Sequence, residues 1–267
     1  MFKAVKYVMK EHKSNFKNII KLSIAHINNE TIRTSLGFWW LIIHDLIYFI
    51  VFTFFRTLMS GDSQIDGMHR VIYLLTGLIP WFFMSEVLNK GSNSILKSKG
   101  IVNSIKFPIT TLPTIEVISI FIKRSFTFII VFFVCVFFGY VSNFSIILFV
   151  YYFVAMFMLM FSLNLIISAL IAISSDFTQL YRSITRVLMF SLPILWSFEM
   201  AKGYRFISIL LKMNPMVYII LGFRSAFIYG HLPNLNYSIY FWAFVIIVFN
   251  LGCYVQYKLR KYYSDFM

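Results

Sequence analysis

The segment KGSNSILKSKGIVNSIKFP, residues 90–108, lies between two long apolar runs and contains four lysines and no acidic residue. Basic loops between membrane spans stay on the cytoplasmic side, so this segment predicts the orientation of the rest of the chain. Ile95, Val102 and Ile105 recur at helical spacing among lysines and serines, which favours a short amphipathic helix suited to contact with a soluble partner. An ordinary positively charged loop fits the same residues.

The composition indicates an integral membrane protein. Of the 267 residues, 60% are hydrophobic and 13% are charged, and several stretches approach or exceed the roughly 20 apolar residues that a helix needs to cross a bilayer. The net charge of +14 is distributed over loops and span ends, which argues against a nucleic-acid partner. Cys135 and Cys253 lie within apolar runs and predict buried thiols rather than a disulfide or a metal site.

Six transmembrane helices are predicted for one domain, residues 1–267. Residues 1–33 are basic and amphipathic, have no signal-peptide core, and predict a helix in the headgroup plane on the cytoplasmic side. The spans are expected near residues 36–59, 71–88, 112–141, 146–173, 187–198 and 238–256, with a cytoplasmic loop at 174–186. Both termini are then cytoplasmic, with 18 lysines and arginines inside and six outside.

Residues 199–230, between the fifth and sixth predicted spans, consist of short apolar pieces. These pieces are too short to cross a bilayer and are separated by Lys212-Met-Asn-Pro215. Short broken helices are tolerated in membranes where protein surrounds them or where they line a cavity. We therefore predict a re-entrant helical hairpin that dips in from the outer surface.

The residues that carry chemistry suggest transport more than catalysis. The five histidines are scattered, the acidic residues are dispersed, and a GxxxxGK[ST] phosphate loop is absent. His44 and Asp45, within the first predicted span, are either functional or a structural pair satisfied by a neighbouring helix. Glu86 is interpreted as an interhelical or capping partner of the basic loop. Aromatic rings that could stack on sugars are Phe38, Trp39, Trp40, Phe190 and Trp196, although any single ring could instead face lipid.

Several landmarks occur together in a specific order: KEHKSNF, LGFWW, GLIPWFF, a loop ending in KFP, ISSDFTQLYRSITRVLMFSLPILW, Asn214-Pro215 with Arg224 downstream, and YYSDF. In this order they resemble the permease subunit of the ABC exporters that carry lipid-linked polysaccharides, especially wall teichoic acid. The chain departs from that family at His44-Asp45, where proline is common, and at Ser175, where arginine usually precedes the acid.

The resemblance implies an all-α permease of the cytoplasmic membrane that works as a homodimer with two copies of a separate ATPase. That ATPase would bind ATP and Mg, so this chain would need no cofactor and would not be an enzyme. The cargo would be an undecaprenyl-diphosphate-linked polymer of the cell wall or surface. Alternatives are an ABC permease for drugs or small lipids, a membrane-embedded enzyme acting on lipid-linked sugars, and a membrane scaffold.

The resemblance also implies roles for individual residues. The coupling helix that docks on the ATPase would contain Ser94, Ile95, Lys97, Lys99, Val102, Ile105 and Lys106. The channel would be lined by Phe38, Trp39, Trp40, His44, Asp45, Phe190 and Trp196. The extracellular gate would contain Pro193, Glu199, Lys202, Arg205, Asn214, Pro215 and Arg224.

Overall fold

The computed structural model describes residues 1–32, 35, 37, 39–60, 64–66, 68–98, 108–140, 144–174 and 176–260. The α-helices there are α1 Phe2–Ser14, α2 Phe16–Ile32, α3 Trp39–Ser60, α4 Arg70–Asn89, α5 Ser94–Lys97, α6 Leu112–Phe137, α7 Ile146–Ile173, α8 Asp176–Ser191, α9 Glu199–Lys202, α10 Arg205–Met213, α11 Pro215–Arg224 and α12 Leu235–Leu259. Strands β1 Gln64–Ile65 and β2 Met68–His69 form an antiparallel hairpin between α3 and α4. Short 3₁₀ turns at Gly91–Asn93 and Ile109–Thr111 precede α5 and α6, and a π turn at Ser225–Tyr229 follows α11.

The chain is an all-α membrane protein with a minor hairpin. Within the described ranges, four helical segments are long and apolar enough to cross a bilayer: Arg70–Lys97, Ile109–Phe137, Ile146–Ile173 and Leu235–Leu259. Helices α10 and α11, with the π turn, meet the same test as one pair bent by 91°. The first predicted span corresponds to the 22-residue α3, whose described apolar part is Ile43–Phe55. The count of six spans remains a prediction.

Helix α4 is the centre of the bundle. In its most apolar part 83% of the residues are buried, compared with 28–39% in the other three candidate spans. It contacts α6, α7, α8 and α11, which fits the rule that a helix apolar on all sides is buried on all sides. Pro80 lies inside α4, and the helix continues to Asn89. Helix α4 therefore presents buried residues to several neighbouring helices.

The region between α7 and α9 differs from the prediction. Within the loop expected at residues 174–186, residues 176–186 are helical and form the first eleven residues of α8, and the fifth span expected at 187–198 is helical only to Ser191. The reason is an amphipathic period: Phe177, Tyr181 and Leu188 pack on the core while the arginines of α8 face outward. The charged residues in this stretch belong to one face of a helix.

The amphipathic N-terminal segment consists of two helices. Helices α1 and α2 meet at Asn15, whose side-chain amide donates to the carbonyl of Glu11 at 2.9 Å. The buried side of the pair packs on α12 and α6. Ser23 donates to the carbonyl of Ile115 at 3.0 Å, and Ser119 donates to the carbonyl of Ser23 at 2.9 Å, so two hydroxyls join α2 to α6.

Candidate functional site

A groove of about 770 Å³ lies between α3, α4, α6 and α8. Its aromatic lining consists of Trp40, Tyr48, Trp81 and Phe82. Its basic lining consists of Lys90, Arg124, Arg182 and Arg186. Because Lys90 begins the basic segment that is predicted to be cytoplasmic, the groove lies at the cytoplasmic end of the bundle in that orientation.

One wall of the groove is built on the buried carboxylate of Glu86. Lys123 Nζ lies 2.5 Å from Glu86 Oε1, Lys90 Nζ lies 2.9 Å from the same oxygen, and Arg124 Nε lies 2.7 Å from Oε2. The Arg124 guanidinium also donates to Asp45 of α3. A buried charge must be paired, because an unpaired one carries a desolvation penalty of several kcal/mol. These bonds therefore fasten α3, α4 and α6 together.

Glu30 of α2 completes this cluster. Its carboxylate lies 2.9 Å from Lys123 Nζ and 3.5 Å from Lys90 Nζ. His26 beside this carboxylate, together with Lys123 and Lys90, holds the pKa of Glu30 well below its usual range. The carboxylates of Asp45, Glu86 and Glu30 balance the charges of Lys90, Lys123 and Arg124 one for one, so the cluster has no excess charge.

The excess positive charge of the groove comes from α8. Arg182 and Arg186 are four residues apart and exposed. Arg186 donates to the Arg182 carbonyl and to Ser183 Oγ, both at 3.3 Å, and across the described residues neither arginine has an ion pair with a carboxylate. Two guanidinium groups are therefore available to an anion at the groove. The prediction of a loop at residues 174–186 does not identify this pair, because only a helix brings residues four apart onto one face.

His44 and Asp45, the two polar residues of the first predicted span, occupy different environments. Asp45 is buried and paired with Arg124, as expected for a structural residue that is satisfied by a neighbouring helix. His44 is largely exposed and lines the groove. Glu86 is confirmed as an interhelical partner, although its contacts with Lys123 and Arg124 on α6 were not anticipated.

Of the other predicted channel residues that the structure describes, Trp40 lines the groove, whereas Trp39, Phe190 and Trp196 do not. Trp39 is exposed. Trp196 Nε1 donates to the carbonyl of Phe190 at 3.1 Å, so these two residues contact each other instead. Phe38 lies outside the described residues. The groove combines Trp40 and His44 with rings of α4 that were not singled out from the sequence.

The predicted gate residues occupy different environments. Glu199, Lys202 and Arg205 are exposed, and Glu199 pairs with Lys202 at 2.6 Å. Asn214 caps α11 by accepting from the Met216 amide at 2.9 Å, and Pro215 is the first residue of that helix. The 91° bend between α10 and α11 falls at this junction.

Arg224, also a predicted gate residue, is buried. Its guanidinium stacks on the ring of Tyr73, 3.6 Å from the centroid, and donates to the carbonyl of Ile194 at 3.0 Å. Gly77 leaves room for it, because a Cβ there would lie 2.8 Å from Arg224 Nη2. Pro193, next to Ile194, is buried as well. Arg224 thus fixes the chain between α8 and α9 against α4.

The predicted coupling segment is described only as far as residue 98. Ser94, Ile95 and Lys97 form the single turn α5, whereas Lys99, Val102, Ile105 and Lys106 lie outside the described residues. Ile95 is fully buried in a cluster with Ile19, Leu112, Ile115, Ala169 and Ala172. The prediction that Ile95 presents an apolar edge to a partner is therefore wrong, because that side chain anchors the segment to its own bundle.

Comparison with known proteins identifies one informative similarity. The chain is 19% identical over 199 residues to the O-antigen export system permease protein RfbA of Myxococcus xanthus, which covers 74% of this chain and 75% of that protein. No protein-family model matches the chain.

Proposed function

We propose that this chain is the permease subunit of an ATP-driven exporter that moves a lipid-linked surface polymer across the cytoplasmic membrane. The similarity to an O-antigen export permease and the apolar helical bundle support a polysaccharide exporter. The polymer would be a polysaccharide or wall teichoic acid carried on undecaprenyl diphosphate. The groove between α3, α4, α6 and α8 is the observation that carries the proposal.

The groove has the chemistry that such a substrate needs. A diphosphate is recognised by guanidinium groups, which donate in a fixed planar geometry, and no carboxylate among the described residues pairs with Arg182 or Arg186. The rings of Trp40 and Tyr48, both exposed at the groove, offer apolar faces on which a sugar can stack. We assign the diphosphate to the α8 side of the groove and the first sugars to its aromatic side.

The energy would come from a second polypeptide. ATP and Mg would be bound by a separate ATPase, two copies of which would assemble with two copies of this permease. Contact would be made by residues 90–108, the coupling segment. Because Ile95 at its start packs between α2, α6 and α7, displacement of this segment would be transmitted to the bundle.

The substrate path would be completed by a second permease copy. Helices α3 and α8, which form two walls of the groove, expose Trp39, Val187 and Phe190, each about two-thirds accessible. A homodimer that buried these faces would enclose a path between two grooves. Residues 199–230 would form the gate on the outer side, with Arg224 as its fixed point.

Depletion of the chain in its native host tests this proposal. An exporter defect should cause sugar-labelled lipid-linked polymer to accumulate where an enzyme added outside intact cells cannot reach it. Wild-type protein should restore access, whereas protein with Arg182→Gln and Arg186→Gln, present in equal amount, should not. Unchanged polymer distribution with altered efflux of small lipids or drugs would overturn the polymer assignment.

A further inference from the structure

A second cavity lies where the N-terminal helices cross the bundle. It has a volume of about 280 Å³ and is bounded by α1, α2, α6, α7 and α12. A more open hollow beside it shares Met9, His12 and Phe16 with it. We call the two together the N-terminal cleft. It shares no lining residue with the groove.

The interior of the cleft is apolar. Val8, Ile118, Phe157, Phe161 and Phe249 line it. His12 is also present, but its Nδ1 contacts the Val8 carbonyl at 2.8 Å and its Nε2 contacts Thr114 Oγ1 at 2.6 Å, so neither ring nitrogen is free for a ligand. Burial lowers the pKa of His12, which disfavours the charged form of the ring. A ligand inside the cleft must therefore be a hydrocarbon.

The mouth of the cleft is positively charged. Lys13 lines it, Lys10 is exposed about one turn earlier in α1, and Lys17 is exposed at the start of α2. Glu11 is the acid in this part of α1, and its carboxylate accepts from Tyr7 and Thr110. Throughout the described chain, no carboxylate forms an ion pair with any of these three lysines. The mouth can therefore attract an anionic group.

We propose that the N-terminal cleft binds one anionic glycerophospholipid, with an acyl chain inside it and the phosphate at Lys13. The volume of the cavity is smaller than the roughly 300–1,000 Å³ of sites for drug-sized ligands, so its interior accepts a single acyl chain. Met9 and Phe16, both more than half exposed at its edge, offer apolar surface to the neighbouring bilayer. The bound lipid fills the space between α1, α2 and the bundle.

Native mass spectrometry tests the site. The protein is equilibrated in micelles that contain equal phosphatidylglycerol and phosphatidylcholine, and retained lipids are counted for each chain. Wild type should retain one phosphatidylglycerol preferentially. Ile118→Phe, which fills the cleft, should abolish retention. Lys13→Gln should reduce the preference for phosphatidylglycerol about fivefold, the effect of one lysine at an anionic surface.

Lys21→Gln is the matched control, because Lys21 is exposed on α2 and lines neither part of the cleft. This variant should retain phosphatidylglycerol like wild type. Equal retention by Ile118→Phe and wild type would overturn the proposal. So would an equal loss of preference in Lys13→Gln and Lys21→Gln, because the lipid would then be held only by the general charge of the N-terminal helices.

Discussion

Arg124 Nε lies 2.7 Å from Glu86 Oε2, and the same guanidinium donates to Asp45, so one side chain of α6 holds both α4 and α3. This arrangement sets the wall of the groove. Helix α3 makes few other contacts with the bundle apart from α4. The position of Trp40 and His44 at the groove therefore depends on this buried cluster.

Replacing Arg124 should destabilise the protein strongly. Arg124→Met leaves Asp45 without its arginine partner and removes one of the three cations around Glu86, and loss of one member of a buried pair costs about 3–5 kcal/mol. Lys202→Gln is the control, because the exposed Lys202–Glu199 pair contributes about 0–1 kcal/mol. Thermal unfolding in detergent measures both variants. Equal shifts in the two would contradict a bracing role for Arg124.

The two arginines of α8 should affect transport and not folding. Arg182→Gln and Arg186→Gln remove exposed charges that have no carboxylate partner in the described part of the chain, so unfolding temperatures should change little. A hydrogen bond to a charged group contributes about 1.5–3 kcal/mol, so each change should slow export roughly tenfold or more. Lys258→Gln, which removes an exposed cation of α12 outside both the groove and residues 199–230, should export normally. An equal export defect in Lys258→Gln would indicate a nonspecific charge effect.

Gly222 should not tolerate a side chain. A Cβ at this position would lie 2.0 Å from the Tyr152 ring, so Gly222→Ala must displace α11 from α7. Overpacking of this kind typically costs about 1–3 kcal/mol. Gly203→Ala is the matched control, because a Cβ there meets no atom within 4 Å. The unfolding temperature should fall for Gly222→Ala alone, and a fall in both would mean that the close approach is not the cause.

The contact of α2 with the bundle should depend on pH through His26. Its Nε2 lies 3.8 Å from Glu30 and 3.4 Å from Glu116. The nearby carboxylate of Glu30 raises the pKa of His26, with a further contribution from Glu116 and opposition from burial and Lys97. The stabilisation is therefore complete below pH 6.5 and is lost as the pH rises through the raised folded pKa.

Comparison with His26→Gln isolates this effect. Burial lowers the pKa of His12, so the stability from neutral His12 is complete above pH 6.5 and is lost as the pH falls, in the opposite sense. Hydrogen exchange in α2 should therefore show wild type better protected than His26→Gln at pH 6, with the difference shrinking as the pH rises past the raised folded pKa of His26. A difference that grows with pH would contradict the assigned ion pairs.

The helices with continuous apolar runs could be predicted from the sequence, and the groove could not. Segments α4, α6, α7 and α12 are apolar over enough residues that their helical nature follows from the bilayer alone. The prediction of a loop at residues 174–186 differs from α8 because the charges of this helix lie on one face. A count of charges alone does not distinguish such a helix from a loop. The groove combines side chains from four helices, and no local pattern relates Glu86 to Lys123.

The contacts of Ile95 and Arg224 likewise could not be predicted from local sequence patterns. Ile95 has the spacing of an exposed amphipathic edge, but tertiary packing places it against α2, α6 and α7. Arg224 was noticed beside the Asn214-Pro215 pair, and only the fold reveals that Tyr73 and the Ile194 carbonyl hold its guanidinium.

Photocrosslinking from the groove tests the central claim most directly. Benzoylphenylalanine is placed at Met189, which lines the groove, or at Val150, which is exposed on α7 and does not. The cells contain a lipid-linked glycan labelled in its sugar portion. We predict labelled adducts at Met189, their loss when Arg182 and Arg186 are changed to Gln, and none at Val150. Equal labelling at both positions, or labelling at Met189 that survives loss of both arginines, would contradict the assignment of this groove to the polymer.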